Sequence, residues 1–117
     1  MNKVNIVAEV ASAHNGDINK LIKLIKIAKK ANCDFIQFQF YNSDEISIRG
    51  TEDYKINKKL EINSKYYPKI FNVCKKLKFP FWAMVSDIFT AKKINMYKPS
   101  MWRIHSSDID NEELIKY

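Results

Sequence analysis

Only two cysteines occur in 117 residues, Cys33 and Cys74. They show no C-x-x-C or comparable spacing, which argues against a thiolate metal centre and leaves two reduced, packed thiols. No apolar run is long enough to cross a bilayer, and the N-terminal residues lack the basic-then-apolar pattern of a secretory signal. The default expectation is a cytoplasmic protein with no membrane partner. Acidic side chains are outnumbered 13 to 20 by Lys and Arg, giving a net charge of +7 and a pI near 9.4. Such an excess attracts anions, whether phosphates, carboxylates or nucleic acid. The lysines, however, close predicted helices, with Lys26, Lys29 and Lys30 at one end and Lys75, Lys76 and Lys78 at another, where cations complement the helix dipole. No aromatic stacking platforms are interleaved with them, so no nucleic-acid partner is expected. The length and the 46% hydrophobic content allow one modest core and exclude two domains.

What is present is an alternation of apolar strands and amphipathic helices. Strands are expected at approximately Val4 to Val10, Asp34 to Phe40, Phe79 to Val85 and Ser100 to Ser106, with helices beginning near Asp17, Asn63, Asp87 and Asp110. Strands that alternate with helices pair in parallel. The first helix carries Ile18, Leu21, Ile22, Ile25 and Ala28 on one stripe, and the second carries Ile70, Phe71, Cys74 and Leu77. Pro68 leaves the second helix's start open: a start at Asn63 puts the missing N–H in the first turns, and a start at Tyr67 gives the proline a favoured position. Residues 41–62 form the one long connection, polar and rich in Asn, Ser, Asp and Glu. Its composition suits a functional lid or a disordered insertion equally.

The polar residues gather where strands end. In the segment Ala8-Glu9-Val10-Ala11-Ser12-Ala13-His14-Asn15-Gly16-Asp17, alternation places Val7 and Glu9 on one strand face and Ile6, Ala8 and Val10 on the other. Glu9 thus stands at the strand tip, Gly16 supplies a turn, and Asp17 is placed to cap the helix. An acid at such a tip needs a functional reason or an ion pair, for which Arg103 is the available cation. Gln37 and Gln39 share a face of the second strand, as candidates for a binding mouth or as core amides satisfied by neighbouring strands. The fourth strand runs out through Arg103-Ile104-His105-Ser106-Ser107-Asp108. Arg103 and Ser106 suit a carboxylate or phosphate, whereas Ser107 and Asp108 read as helix capping. His14 and His105 both end strands, but two histidines without a short fixed spacing make a weak metal signal.

The Ala8–Asp17 segment resembles the AEIG-NHNGD signature that opens the catalytic barrel of the N-acetylneuraminate (sialic acid) synthase family. Asp34-Phe35-Ile36-Gln37-Phe38-Gln39-Phe40 is similar to its second strand, and Leu60-Glu61-Ile62, Cys74-Lys75-Lys76 and Arg103 to Asp108 fall where that family has similar patterns in order. The resemblance implies an α/β fold, a partial (β/α)8 TIM barrel of about four βα units with parallel strands, spanning residues 1–117 as the N-terminal half. It also implies condensation of phosphoenolpyruvate with an N-acetylhexosamine such as N-acetylmannosamine. A divalent metal, manganese or magnesium, would polarise the sugar aldehyde, held by ligands from outside this chain. By position Glu9 matches the family's catalytic acid near the sugar, and Ser106 a serine that contacts phosphoenolpyruvate. Three positions depart from the family pattern: Gln37 and Arg103 stand where lysines are expected, and Met84 where a threonine is expected.

Four units are half of such a barrel. A half barrel exposes two strand edges and its inner face, so self-association or a complementary barrel half is expected as a partner. A self-contained flavodoxin-like sheet is the structural alternative, and a non-catalytic binding fragment the functional one.

Overall fold

A computed structural model describes residues 3–117. Its sheet holds β1 (Val7–Glu9), β2 (Phe35–Phe40), β3 (Phe81–Val85) and β4 (Met101–Ile104) in the order β1-β2-β3-β4, and every neighbouring pair is parallel. That order excludes the flavodoxin-like alternative, in which the first strand lies between later ones. β1 and β4 are markedly shorter than the stretches Val4 to Val10 and Ser100 to Ser106 expected from sequence. Both are edge strands with a ladder on one side only, and Ile6, Val10 and Ser100 just outside their bounds still bond to the neighbouring strand, through Phe35 N–H to the Ile6 carbonyl, Val10 N–H to the Gln37 carbonyl and Ser100 N–H to the Phe81 carbonyl.

The helices begin where short polar side chains can take up free N–H groups. Asp17 accepts from the backbone N–H of Asn19 and Lys20 to start α1 (Ile18–Lys30), and Asp87 accepts from Thr90 to start α5 (Ile88–Asn95). The start left open around Pro68 combines both options. Asn63 caps a 3-10 turn over Ser64–Tyr66, which leads into α4 (Tyr67–Lys76) with Pro68 in its first turn, where no N–H is needed. The final helix, α6 (Glu112–Lys116), is capped by Asn111. Asp108, read from sequence as a cap, lies in a 3-10 turn at Ser106–Asp108 and does not cap that helix, which begins two residues after the expected start near Asp110.

The core lies on one face of the sheet. Ile36, Phe38, Phe40, Phe81, Ala83 and Val85 meet Leu21, Ile25 and Ala28 of α1, Ile70, Phe71 and Cys74 of α4, and Ala91 and Ile94 of α5. Phe71 is the hub of its aromatic part, with ring centroids 4.3 Å from Tyr97, 4.5 Å from Phe81 and 5.7 Å from Phe40. Both cysteines are free. Burial pushes the Cys74 thiol up to about 12, as fits a packing residue with no thiolate chemistry.

Residues 41–62 are not a disordered insertion. They fold into α2 (Ser43–Ile46) and α3 (Glu52–Leu60), tied down at several points. The backbone N–H of Ser43 donates to Glu61 Oε2 at 3.0 Å and its hydroxyl at 2.6 Å. The N–H of Asn42 donates to Asp87 Oδ2 at 2.9 Å, and the Tyr41 hydroxyl donates to the Asn57 carbonyl at 3.1 Å. These bonds link the end of β2 to the end of β3 through polar groups that a solvated loop would leave to water.

Candidate functional site

The C-terminal rim begins with β1, where Glu9 is exposed and pairs in register with Gln37. After Val10 the chain makes a tight turn with positive φ at Ala11, Asn15 and Gly16, a conformation L residues rarely adopt. His14 is buried inside it, its Nδ1 accepting from the Gly16 N–H at 3.0 Å. Burial, with Lys20 nearby, lowers its pKa, so the ring is neutral and serves as an acceptor that fixes the turn. A Cβ on Gly16 would stand 2.2 Å from the Lys59 carbonyl oxygen. The end of α3 therefore rests directly on this turn, and glycine is required for contact as well as for φ.

Register places Glu9, Gln37, Gln39, Met84 and Arg103 on one face of the sheet, opposite the helix-covered core. Gln37 is 1% exposed. Its Oε1 accepts from Arg103 Nη1 at 2.6 Å, a bond that reaches over β3, while its Nε2 has no partner. A buried amide with an unused donor costs about 1–3 kcal/mol, which marks a position where a ligand acceptor would be favoured. Arg103 keeps further N–H groups in its planar fork. Met84 is buried beside them and offers no hydroxyl.

The sequence-predicted residues are thus partly brought together. Gln37 and Arg103 form the centre, and Glu9 and Gln39 flank Gln37 in the same face. The ion pair between Glu9 and Arg103 considered from sequence does not form; Arg103 bonds an amide instead. Ser106 is exposed at the start of the 3-10 turn after β4. His105 Nδ1 is tied to its own loop through the Ser107 hydroxyl at 2.7 Å and the Ser107 N–H at 3.2 Å, so Ser107 acts within the loop and not as a helix cap. The described residues gather no group of three or more His, Cys, Asp or Glu side chains able to hold a metal. Sequence reasoning missed the Gln37–Arg103 bond, which joins residues far apart in the chain. It also missed α3, although Thr51 as cap, acidic Glu52 and Asp53 in the first turn and basic Lys58 and Lys59 in the last were a legible helix signal.

The NeuB family model matches residues 24–117. The chain belongs to the NeuB family. It is 25% identical over 130 aligned residues to the N,N'-diacetyllegionaminic acid synthase of Campylobacter jejuni, covering 99% of this chain and 39% of that protein. An uncharacterized protein of Methanocaldococcus jannaschii is 29% identical over 104 residues, covering 89% of this chain and 31% of its own length. Among solved structures, the N-acetylneuraminic acid synthetase of Leptospira borgpetersenii, in complex with citrate, superposes with a TM-score of 0.89 at 29% identity, over 98% of this chain and 40% of that one. The chain therefore spans 31% to 40% of these relatives' length. Its four parallel βα units are part of the TIM barrel of the sialic acid synthases. No helix among the described residues is long and apolar enough to cross a membrane.

Proposed function

We propose that this NeuB-family chain supplies the anion-binding part of a sialic acid synthase-like site, with phosphoenolpyruvate as the anion and an N-acetylhexosamine as its co-substrate. The observation that carries this reading is the buried Gln37 amide held by Arg103, with a spare donor on the uncovered face of the sheet. Arg103 supplies the positive charge and two parallel donors for a carboxylate or phosphate. Gln37 adds its Nε2–H, Ser106 a hydroxyl from the loop, and Gln39 a second amide on the same face. Glu9 is the acid and base of the set, placed to move a proton at the sugar end. The citrate complex of the Leptospira neighbour supports a family site that receives a carboxylated anion.

The departures from the family pattern set the strength of binding. Gln37 in place of lysine removes one charged hydrogen bond, a loss of roughly 1.5–3 kcal/mol, and Arg103 keeps charge with a different geometry. The divalent manganese or magnesium that the resemblance implies would have to be held by residues outside these 117. In calorimetric titration of the chain with phosphoenolpyruvate, weak binding is expected that Arg103→Ala abolishes, with no turnover of N-acetylmannosamine. Tight binding that survives Arg103→Ala, or measurable synthase activity, would place the site elsewhere. A site that binds the anion without turning it over is also what the alternative reading, a non-catalytic binding module, requires. The loss of the family's threonine hydroxyl at buried Met84 favours that alternative. Activity restored by adding a complementary barrel half would decide for the enzyme.

A further inference from the structure

The helix side of the sheet carries a groove that plays no part in the rim. It lies at the N-terminal end of the strands, where α4 and the loops leading into β3 and β4 surround a volume of about 780 Å³, within the roughly 300–1,000 Å³ of small-molecule sites. Its floor and walls are aromatic and proline side chains, Phe71, Phe79, Phe81 and Tyr97 with Pro68 and Pro80. Lys75, Lys78 and Lys98 also line it, and no acidic side chain does. Lys29 Nζ lies over the Phe79 ring, 5.2 Å from its centroid, and donates to the Lys78 carbonyl at 3.3 Å. Among the described residues none of these four lysines takes part in an ion pair.

The backbone sets two of the lysines at the groove. The chain leaves α1 through Asn32, α4 through Lys78 and α5 through Lys98, at positive φ of 61°, 48° and 54°. Asparagine is a usual occupant of this left-handed position, whereas lysine carries a steric cost that glycine would avoid. The helix dipole favours cations in a last turn, which accounts for Lys75, but Lys98 stands beyond the end of α5 at Asn95. Backbone bonds pin both turns, from the Lys78 N–H to the Lys75 carbonyl at 3.0 Å and from the Lys98 N–H to the Asn95 carbonyl at 3.1 Å. The stems of both lysines therefore start from fixed positions beside the aromatic floor.

An aromatic slot edged by cations alone matches a molecule that joins a flat ring to an anionic tail. We propose that this groove binds a nucleoside phosphate, with the base between the aromatic and proline walls and the phosphates at Lys75, Lys78 and Lys98. Ring stacking and the apolar lysine stems cover the base, and the clustered ammonium groups answer the multiple charges of a diphosphate. The proposal rests on the groove and not on the reading of the anion site at the opposite end of the strands.

Calorimetric titration of the chain with ADP at low salt is the test, with adenosine and inorganic phosphate as the two halves of the probe. ADP is expected to bind roughly tenfold or more tighter than either half, and more weakly as salt is raised. Lys75→Glu combined with Lys98→Glu is expected to lower ADP affinity by at least about tenfold without loss of melting temperature, since both side chains are exposed. Met96→Glu, on the groove wall at 78% exposure, should lower it with every lysine retained. Absence of ADP binding, or binding that survives either change, would overturn the proposal. So would inorganic phosphate binding as tightly as ADP, because the lysines would then only gather counterions, or adenosine doing so. Arg103→Ala separates the two sites, since it should leave ADP binding unchanged. Loss of ADP binding in that variant would assign the nucleotide to the rim and not to the groove, while phosphoenolpyruvate titration of the lysine variants reports on the rim alone.

Discussion

Phe71→Ala is expected to lower the stability of the chain by about 3–5 kcal/mol, the usual range for removing a large buried aromatic. Phe71 sits in α4 at the point where the helix meets the middle of the sheet. Its ring lies against Tyr97 and Phe81 at 4.3 and 4.5 Å and against Phe40, Tyr67 and Phe38 at 5.7 to 6.3 Å. Truncation leaves five aromatic neighbours facing a void they can fill only by moving the helix. Small domains hold roughly 5–15 kcal/mol in all, so the variant would be marginal or unfolded. Urea denaturation followed by circular dichroism checks this, and a loss below about 1 kcal/mol would mean that the aromatic cluster is not the centre of the fold.

Gly16→Ala is expected to act on the rim, at a cost of about 3 kcal/mol. Two effects combine at this position. The residue sits at a φ of +78°, and the new methyl would meet the Lys59 carbonyl oxygen at 2.2 Å, a backbone atom that cannot rotate aside. The turn and the end of α3 must therefore separate. Gly50→Ala is the control, since Gly50 has a φ of +89° but no atom within 4 Å of the added methyl. It carries only the conformational penalty of about 1 kcal/mol. Thermal melts of the two variants, with amide exchange in α3, distinguish contact from strain. Equal melting temperatures would show that α3 does not rest on the turn.

Acid should weaken the same region in two stages. His14 has its pKa lowered by burial and by Lys20, so the unfolded chain binds more protons than the folded one as pH falls through the ordinary histidine value of 6.5. Stability then declines on the acid side of that value. At Glu61 burial pushes the pKa up, but the Ser43 hydroxyl and N–H and the Lys58 ammonium outweigh it, and the net direction is down. Its contribution is present above the ordinary value of 4.5 and is lost as pH falls through the lowered folded value. Melting temperatures at pH 7.5, 5.5 and 4 are expected to fall at each step, and Glu61→Gln should reduce the second decrement, to which Asp17, Asp34 and Asp44, also held below the usual carboxylate value, contribute the rest with His14.

The local signals in the sequence were strong wherever one residue's chemistry and its near neighbours decide the outcome. Asp17 and Asp87 cap the helices they precede because an N-cap acts over two or three residues. The helix stripes around Leu21, Ile25, Ile70 and Cys74 face the core because a period of 3.6 residues is set by the backbone itself. The parallel pairing follows from uniform strand-helix alternation, whereas the 1-2-3-4 order was decided by the structure, since the same alternation also allows a flavodoxin-like sheet. The placement of Glu9 at a strand tip and of Arg103 late in β4 could likewise be read directly.

Only the tertiary structure decided what those groups touch. Arg103 bonds Gln37 and not Glu9 because β3 lies between β2 and β4, and the parallel register aligns Arg103 with Met84 and Met84 with Gln39. That brings the guanidinium diagonally to Gln37. The ordering of residues 41–62 was equally hidden, since Ser43 is satisfied by Glu61 and Asn42 by Asp87 from a different βα unit. A polar composition reads as a solvated loop until such partners are known. Outside residues 41–62, sequence by itself determined the strands, the main helices and the face each presents, which are short-range matters of backbone period and capping. Which polar groups meet, and so what the rim can bind, was settled by the register between strands, a long-range property fixed only when the sheet assembles.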